Sequence, residues 1–397
     1  MRLQLPAVAL AALCLAACEK KSEAPRPVET KPVAATAPAP EARPAEDVIL
    51  LGEVGSLTGS EAAFGKSTRD GVELALEEVN AAGGLLGKKV AVRVYDDQSK
   101  PEEAASATKR LLTQDKVVVV LGEVASSNSL AMAPIAQEAK IPMISPSSTN
   151  PRVTEVGDYI FRVCFIDPFQ GFVMAKYAHD DLKFTRVAIL TDKKSAYSEG
   201  LTEVFQRKFT EMGGKVMGVE AYAKGDTDFR AQLTNIKKLK VEGLYVPGYY
   251  EDVGKIAEQS KELGLKVVMM GGDGWDSAKL FELGGPAVEG SFVSNHYSAE
   301  DPNPRTQAFI AKYKEKYGAV PDSLAALGYD SARVAMDAIR RAGKTDGPSL
   351  RDAIAQTRDF PGVAGTITLD EKRNPVKPAV VLRVEGGKFK YVTTIAP

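Results

Sequence analysis

From residue 47 to about residue 270 the chain alternates short apolar runs with longer stretches whose apolar residues recur every three to four positions. That alternation admits few folds. A short run flanked by helical patterns on both sides reads as a buried parallel strand, and such strands assemble into a sheet covered by helices. Residues 48–51 read as the first strand, after which Val72, Ala75, Leu76 and Val79 keep helical spacing until Gly83-Gly84 ends the helix. Residues 89–96 alternate as a strand, 101–114 form a helical pattern, and 117–121 is an unbroken apolar run suited to a central strand. A second series begins with a helix after Pro168. Strands at 187–190, 216–222, 243–246 and 266–270 follow, separated by helices at 200–212, 229–240 and 252–263.

Two βα series of similar length predict an α/β fold of two similar lobes, each a mainly parallel sheet flanked by helices. Ala82-Gly83-Gly84 in the first is echoed by Met212-Gly213-Gly214 in the second. After Gly290 the pattern turns helix-rich, at 306–317 and 324–341, and the chain closes with strand-like 380–384 and 389–395. Periodicity does not place these late elements. A return of the chain to its first lobe implies several crossings, a connection that favours hinge motion.

The N-terminus carries a different signature. Met1 and Arg2 precede an apolar run over 3–15, broken only by Gln4 and Pro6, and then Ala16, Ala17 and Cys18. This is the pattern of an export signal, 1–17, too short for the roughly 20 apolar residues of a membrane span. Leu15-Ala16-Ala17-Cys18 resembles the lipobox of bacterial lipoproteins, which implies that Cys18 becomes the lipidated first residue, held by acyl chains in a membrane. Residues 19–46 hold six prolines and seven alanines but no aromatic residue, leucine or isoleucine, so they are expected to form a disordered tether. With Cys14 removed and Cys18 acylated, Cys164 remains as a single thiol without a disulfide partner.

Composition removes several classes of function. Fifty-one basic residues against 52 acidic ones leave no electrostatic footprint for nucleic acid, and two histidines with three cysteines supply few ligands for a metal. No cofactor is expected. Gly65-Lys66-Ser67 ends like a phosphate-binding loop, yet Ser60 stands where its first glycine belongs and Gly59 is one residue too far. No Gly-x-Ser-x-Gly elbow occurs. His179 and His296 read as surface or capping histidines outside any recognisable triad, and Cys164, between Val163 and Phe165, reads as a buried small hydrophobe. Catalysis is not expected.

In open α/β sheets, ligands bind beyond the carboxyl ends of the strands, where helix N-termini present unpaired N–H groups. In the first series those places hold Gly122-Glu123-Val124-Ala125-Ser126-Ser127-Asn128 and Ser145-Pro146-Ser147-Ser148-Thr149-Asn150. Their hydroxyls and amides suit a carboxylate, and equally suit helix caps and turns. In the second series the places hold Gly248-Tyr249-Tyr250-Glu251 and Gly271-Gly272-Asp273-Gly274-Trp275-Asp276. Asp273 suits a ligand ammonium and Tyr249 and Trp275 suit its walls, although Asp-Gly also marks turns and tyrosine also packs in cores.

Six segments in order resemble the branched-chain amino-acid-binding (Leu/Ile/Val-binding) family of periplasmic substrate-binding proteins of ABC transporters, over about 47–397. They are Glu77-Glu78-Val79-Asn80-Ala81-Ala82-Gly83-Gly84-Leu85-Leu86-Gly87, Asp96-Asp97-Gln98-Ser99, Ile144-Ser145-Pro146-Ser147-Ser148-Thr149-Asn150-Pro151, Gln170-Gly171, Gly225-Asp226-Thr227-Asp228-Phe229 and Gly328-Tyr329-Asp330. The resemblance implies the hinged type I periplasmic-binding-protein fold. Lobe 1 would comprise 47–164 plus 296–374 and lobe 2 165–295 plus 375–397, with crossings near 164–166, 294–296 and 374–377. It further implies that Ser126 and Ser147 meet a ligand carboxylate and that Thr149 helps hold the amino acid's main-chain groups. Asp273 would meet the α-ammonium, Tyr197 and Tyr249 would close over the ligand, and Phe64 would pack on its side chain. Ala125 stands where some members have a disulfide cysteine. The implied function is an exported lipoprotein that captures a small aliphatic or branched-chain amino acid by lobe closure and hands it to an ABC permease. A sensing receptor of the same fold, or a receptor for amides, urea or aromatic acids, is the alternative.

Overall fold

The computed structural model describes residues 48–397, so the export signal, Cys18 and the tether lie outside the described residues. Strands β1 (Ile49–Gly55), β2 (Val90–Asp96), β3 (Val120–Leu121), β4 (Met143–Ser145) and β5 (Ile160–Arg162) form an all-parallel sheet in the order β2-β1-β3-β4-β5. Helices α1 (Ala62–Ala81), α2 (Pro101–Arg110), α3 (Ser126–Ala139) and the short α4 (Arg152–Glu155) connect them. Leu51, Val119, Ile144 and Phe161 are fully buried in this lobe, each contributing about 1.5–3 kcal/mol by leaving water.

The second sheet repeats the plan. After α5 (Asp167–Lys176) come β6 (Arg186–Asp192), α6 (Ala196–Glu211), β7 (Lys215–Tyr222), α7 (Arg230–Leu239) and β8 (Gly243–Tyr245). Helix α8 (Tyr250–Glu262), β9 (Val268–Gly271), α9 (Ala278–Gly284) and β10 (Phe292–Asn295) complete the series. The parallel order β7-β6-β8-β9-β10 matches β2-β1-β3-β4-β5 strand for strand. The Gly-Gly echo is structural as well: Gly84 N–H donates to Val79 O at 2.9 Å and Gly214 N–H to Phe209 O at 3.0 Å, the same helix-terminating bond.

The late elements divide between the lobes. Helices α10 (Pro304–Tyr317), α11 (Ser323–Ala342) and α12 (Gly347–Ala355), with the hairpin of β11 (Phe360–Gly362) and β12 (Gly365–Ile367), share one apolar core with the first sheet. Gly71 of α1 and Gly328 of α11 allow backbone contact between these helices, since an added Cβ would lie 2.0 Å from Ala325 O and 2.4 Å from Thr68 O respectively. Strands β13 (Ala379–Val384) and β14 (Phe389–Ile395) instead extend the second sheet, β13 running antiparallel to β10. The chain therefore passes three times between lobes: between β5 and α5, between β10 and α10, and between β12 and β13.

Several sequence expectations need adjustment. Only Val120 and Leu121 of the run 117–121 pair in the ladder, and α2 ends at Arg110 in a wider turn over Leu111–Asp115. Helix α6 starts earlier than residue 200, because the Ser195 hydroxyl accepts from Ser198 N–H and caps it. Among the described residues no helix is long and apolar enough to cross a membrane.

Candidate functional site

Equivalent strand ends of the two sheets face each other. Beyond β1 the chain reaches Phe64 in the first turn of α1, beyond β3 it reaches Val124 and then Ser126 at the start of α3, and beyond β4 it reaches Ser147. From the other lobe, Tyr197 lies in the first turn of α6 after β6, Tyr249 precedes α8 after β8, and Asp273 follows β9. Phe64, Ser147, Tyr197, Tyr249 and Asp273 line one small cavity of about 10 Å³, together with Val124, Gly274 and Leu324. A hollow of about 430 Å³ lined by Tyr297, Pro302, Val363 and Tyr391 is larger, but of the groups around Asp273 it touches only His296.

The cavity wall combines the polar Ser147, Tyr197 and Asp273 with the apolar Phe64, Val124 and Leu324. On the side of the first sheet Ser147 is buried and its hydroxyl has no hydrogen-bond partner among the described residues. On the side of the second, Asp273 Oδ1 accepts from Gln170 Nε2 at 2.7 Å and from the Tyr197 hydroxyl at 2.8 Å, while Oδ2 lies 2.9 Å from His296 Nε2. Gly272 makes room for this network, since a Cβ there would fall 2.4 Å from the Tyr197 hydroxyl and 2.6 Å from Gln170 Nε2. The Tyr197 hydroxyl also accepts from Gly274 N–H at 3.1 Å. Tyr197 and Tyr249 lie almost parallel, centroids 5.2 Å apart, and Phe64 meets Tyr249 edge-on at 5.7 Å. Burial holds both phenols well above their ordinary pKa, so they stay protonated and able to donate.

Two of the expected residues sit outside the cavity wall. Ser126 is buried at the N-terminus of α3, its Oγ accepting from Asn150 N–H at 3.3 Å. Thr149 is fully buried beside Asp167, whose N–H donates to Thr149 O at 2.9 Å and whose carboxyl burial pushes up to about 8.

Two expectations are corrected. His296 is no surface or capping residue: its side chain is fully buried, stacked on Phe165 with centroids 3.7 Å apart, and in hydrogen-bond contact with an acid. Trp275 is no cavity wall but a core residue, its indole N–H donating to Val246 O at 2.9 Å. Cys164 is buried as expected, and burial pushes its thiol up to about 12, so it stays unreactive. His179 pairs with Asp180 at 2.7 Å, away from the cavity. Sequence reasoning missed Val124, Leu324 and His296 as members of the site. Gln170 was visible only as part of a motif.

The lobes touch across the cleft. Asn150 Nδ2 donates to Ala196 O at 2.7 Å, Ala196 N–H to Ser127 Oγ at 3.0 Å, and Ala63 N–H to the Tyr250 hydroxyl at 3.2 Å. Lys224 Nζ lies 2.5 Å from the Glu61 carboxylate and donates to Ser99 O at 2.8 Å. Phe64, Val124 and Leu324 of one lobe join Tyr250 and Val293 of the other in a single apolar cluster. This is a closed arrangement, with the cavity between lobes in contact.

The periplasmic binding protein family matches residues 49–388. The Leu/Ile/Val-binding protein homolog 1 of Brucella suis is 31% identical over 349 residues, covering 87% of this chain and 93% of that one. The leucine-binding protein LivK of Thermotoga maritima superposes with a TM-score of 0.84 at 41% identity, covering 88% of this chain and 99% of that one. LivJ of Streptococcus pneumoniae, solved in complex with isoleucine, gives 0.84 at 33%, covering 88% of this chain and all 100% of that one.

Proposed function

Because this chain belongs to the periplasmic binding proteins, within the Leu/Ile/Val-binding family of ABC-transporter substrate-binding proteins, we propose that it captures one small zwitterionic amino acid with an aliphatic or branched side chain and releases it unchanged to a membrane permease. The observation that carries this reading is the pairing, in one buried cavity, of an unpartnered Ser147 hydroxyl with the Asp273 carboxylate. A ligand carboxylate belongs at the first and its ammonium at the second. Phe64, Val124, Leu324 and Tyr249 then surround an apolar side chain, which gains by leaving water. In this reading Ser126 and Thr149 hold the loops that carry the carboxylate site.

The mechanism follows from the split between lobes. Lobe 1 is taken as 47–164 plus 296–374 and lobe 2 as 165–295 plus 375–397. A ligand docked on the Ser147 side of an open cleft meets Asp273, Tyr197 and Tyr249 only on closure. It binds the closed state better than the open one by those contacts, and so shifts the equilibrium towards closure. The closed pair of lobe faces is what a permease would recognise. Export, cleavage before Cys18 and acylation there would tether the receptor to a membrane through 19–46.

Thermal unfolding against a panel of amino acids tests the reading. A ligand at a hundred times its Kd should add about 2.7 kcal/mol of stability. Leucine, isoleucine or valine should raise Tm most; a response confined to amides or to aromatic acids without an ammonium would overturn the substrate class. Mass spectrometry of the mature N-terminus checks the acyl chains on Cys18, and Cys18→Ala should move the protein to the soluble fraction.

A further inference from the structure

Each oxygen of a carboxylate offers two lone-pair sites. Oδ1 of Asp273 uses both, accepting from Gln170 Nε2 at 2.7 Å and the Tyr197 hydroxyl at 2.8 Å. Oδ2 uses one, towards His296 Nε2 at 2.9 Å, and one site remains. The protonation of His296 therefore decides what Asp273 offers a ligand.

Geometry identifies the tautomer. His296 Nδ1 is buried and has no hydrogen-bond partner among the described residues. A proton on Nδ1 would strand a buried N–H donor and turn the Nε2 lone pair against Oδ2. A proton on Nε2 leaves only an unpaired acceptor, the less costly fault. A second proton on the ring would again sit on Nδ1 without an acceptor, in a ring stacked on Phe165. The charged groups that face the imidazole are Asp273 and Asp276, which favour its cation, and Lys377, which opposes it; burial outweighs them and holds the imidazole below its usual range. Asp167 and Cys164 stand further round, facing Asp273.

We infer that neutral, Nε2-protonated His296 is the positioning residue that aims Asp273 and leaves one Oδ2 lone pair and the whole carboxylate charge to a ligand cation, so that the site selects an α-ammonium and loses that selection when the imidazole gains its second proton. The inference rests on the reading of Asp273 as the ammonium contact. An imidazolium would neutralise Asp273 before the ligand does, so ligand and proton compete.

The test is the calorimetric affinity ratio of leucine to its 2-hydroxy-acid isostere, which carries a hydroxyl in place of the ammonium. In the wild-type protein the ratio should fall as pH is lowered from about 8 through the imidazole's own titration, which its ¹⁵N signal reports, by up to about tenfold per pH unit below the free site's pKa. In His296→Gln, whose amide Nε2 keeps a donor but does not titrate, the ratio should stay within about twofold over that range. A flat wild-type ratio, or an equal fall in His296→Gln, overturns the inference. A second measurement does not depend on that variant folding: ¹⁵N imidazole spectra of the wild-type chain, which has two histidines, assigned with His179→Gln. The expected signal is the neutral Nε2–H tautomer, with a midpoint that drops when leucine is added; an Nδ1–H tautomer or a rising midpoint overturns it. Failure to bind either leucine or its isostere at pH 8 would instead sink the proposed function, while the tautomer would still report on the His296–Asp273 arrangement.

Discussion

Two residues beyond the end of its fourth strand the first sheet presents Ser147; two residues beyond the end of its own fourth strand the second presents Asp273. The backbone delivers both to the same cavity by the same route, since the two sheets share a strand order. Their surroundings differ. Ser147 is left bare, with no partner for its hydroxyl among the described residues, whereas Asp273 is held by Gln170, Tyr197 and His296. The difference follows from what each must do before a ligand arrives. A buried carboxylate needs donors around it to offset its lost hydration, while a neutral hydroxyl can wait at a cost of about 1–3 kcal/mol. A repeated fold thus fixes where the two ends of a zwitterion belong, and the unlike side chains decide which end goes where.

The sharpest way to break this comparison is Asp273→Ala. Zwitterionic ligand should bind about 2–4 kcal/mol more weakly, roughly thirtyfold to a thousandfold in Kd, because its ammonium is buried without a counter-charge. Isothermal titration reads the loss, and an unchanged Kd removes Asp273 from the site. Three donors are also stranded, so the protein without ligand should melt lower. Ser147→Ala sharpens the contrast from the other side. Affinity should fall by about 1.5–2 kcal/mol, the value of a hydrogen bond to a charged group, while the unliganded protein melts no lower, because the deleted hydroxyl had no partner to lose. A matched drop in Tm and affinity would mean that Ser147 serves the fold and not a ligand.

The parts of the molecule that could be read without contacts are those in which local pattern and final environment agree. Buried parallel strands such as β6, and the α1 stripe of Val72, Ala75, Leu76 and Val79, carry their period in the chain. Strands β13 and β14 were also visible, but not their sheet, because Val381 pairs with Ser294 at a sequence separation of 87. Helix α3 was invisible for the opposite reason: Ser126, Ser129, Met132 and Ala136 are all buried, so polar and apolar residues mix on its inner surface. His296 was misread because neither Asn295 nor Tyr297 tells which distant segment covers it; Phe165 and Asp273 do so from other elements. The Phe64, Tyr197 and Tyr249 wall was accessible through family resemblance and not through spacing, since an aromatic at a strand end packs in a core as readily as on a ligand.

The smallest expected effect concerns the latch that joins the two lobes. Glu61 of the first is almost fully buried and Lys224 of the second is about one-third exposed, at 32%, so solvent screens the pair and its contribution stays near 1 kcal/mol or below. Lys224→Met should therefore leave ligand capture intact where Glu61 is protonated and quicken release by several-fold at higher pH, a change that stopped-flow displacement resolves. The pH dependence carries a definite sign. Burial raises the Glu61 pKa in the closed form and Lys224 pulls it back. Without Lys224, closure must protonate Glu61 or bury its charge, so the affinity of Lys224→Met should be greatest at low pH and decline as pH rises through the closed-form pKa. The wild-type protein, with its counter-ion in place, should decline less over the same interval. Equal release rates at low and high pH in wild type and variant would mean that the Lys224–Glu61 contact decorates the rim, and that closure rests on the hydrogen bonds Asn150, Ser127 and Tyr250 make across the cleft.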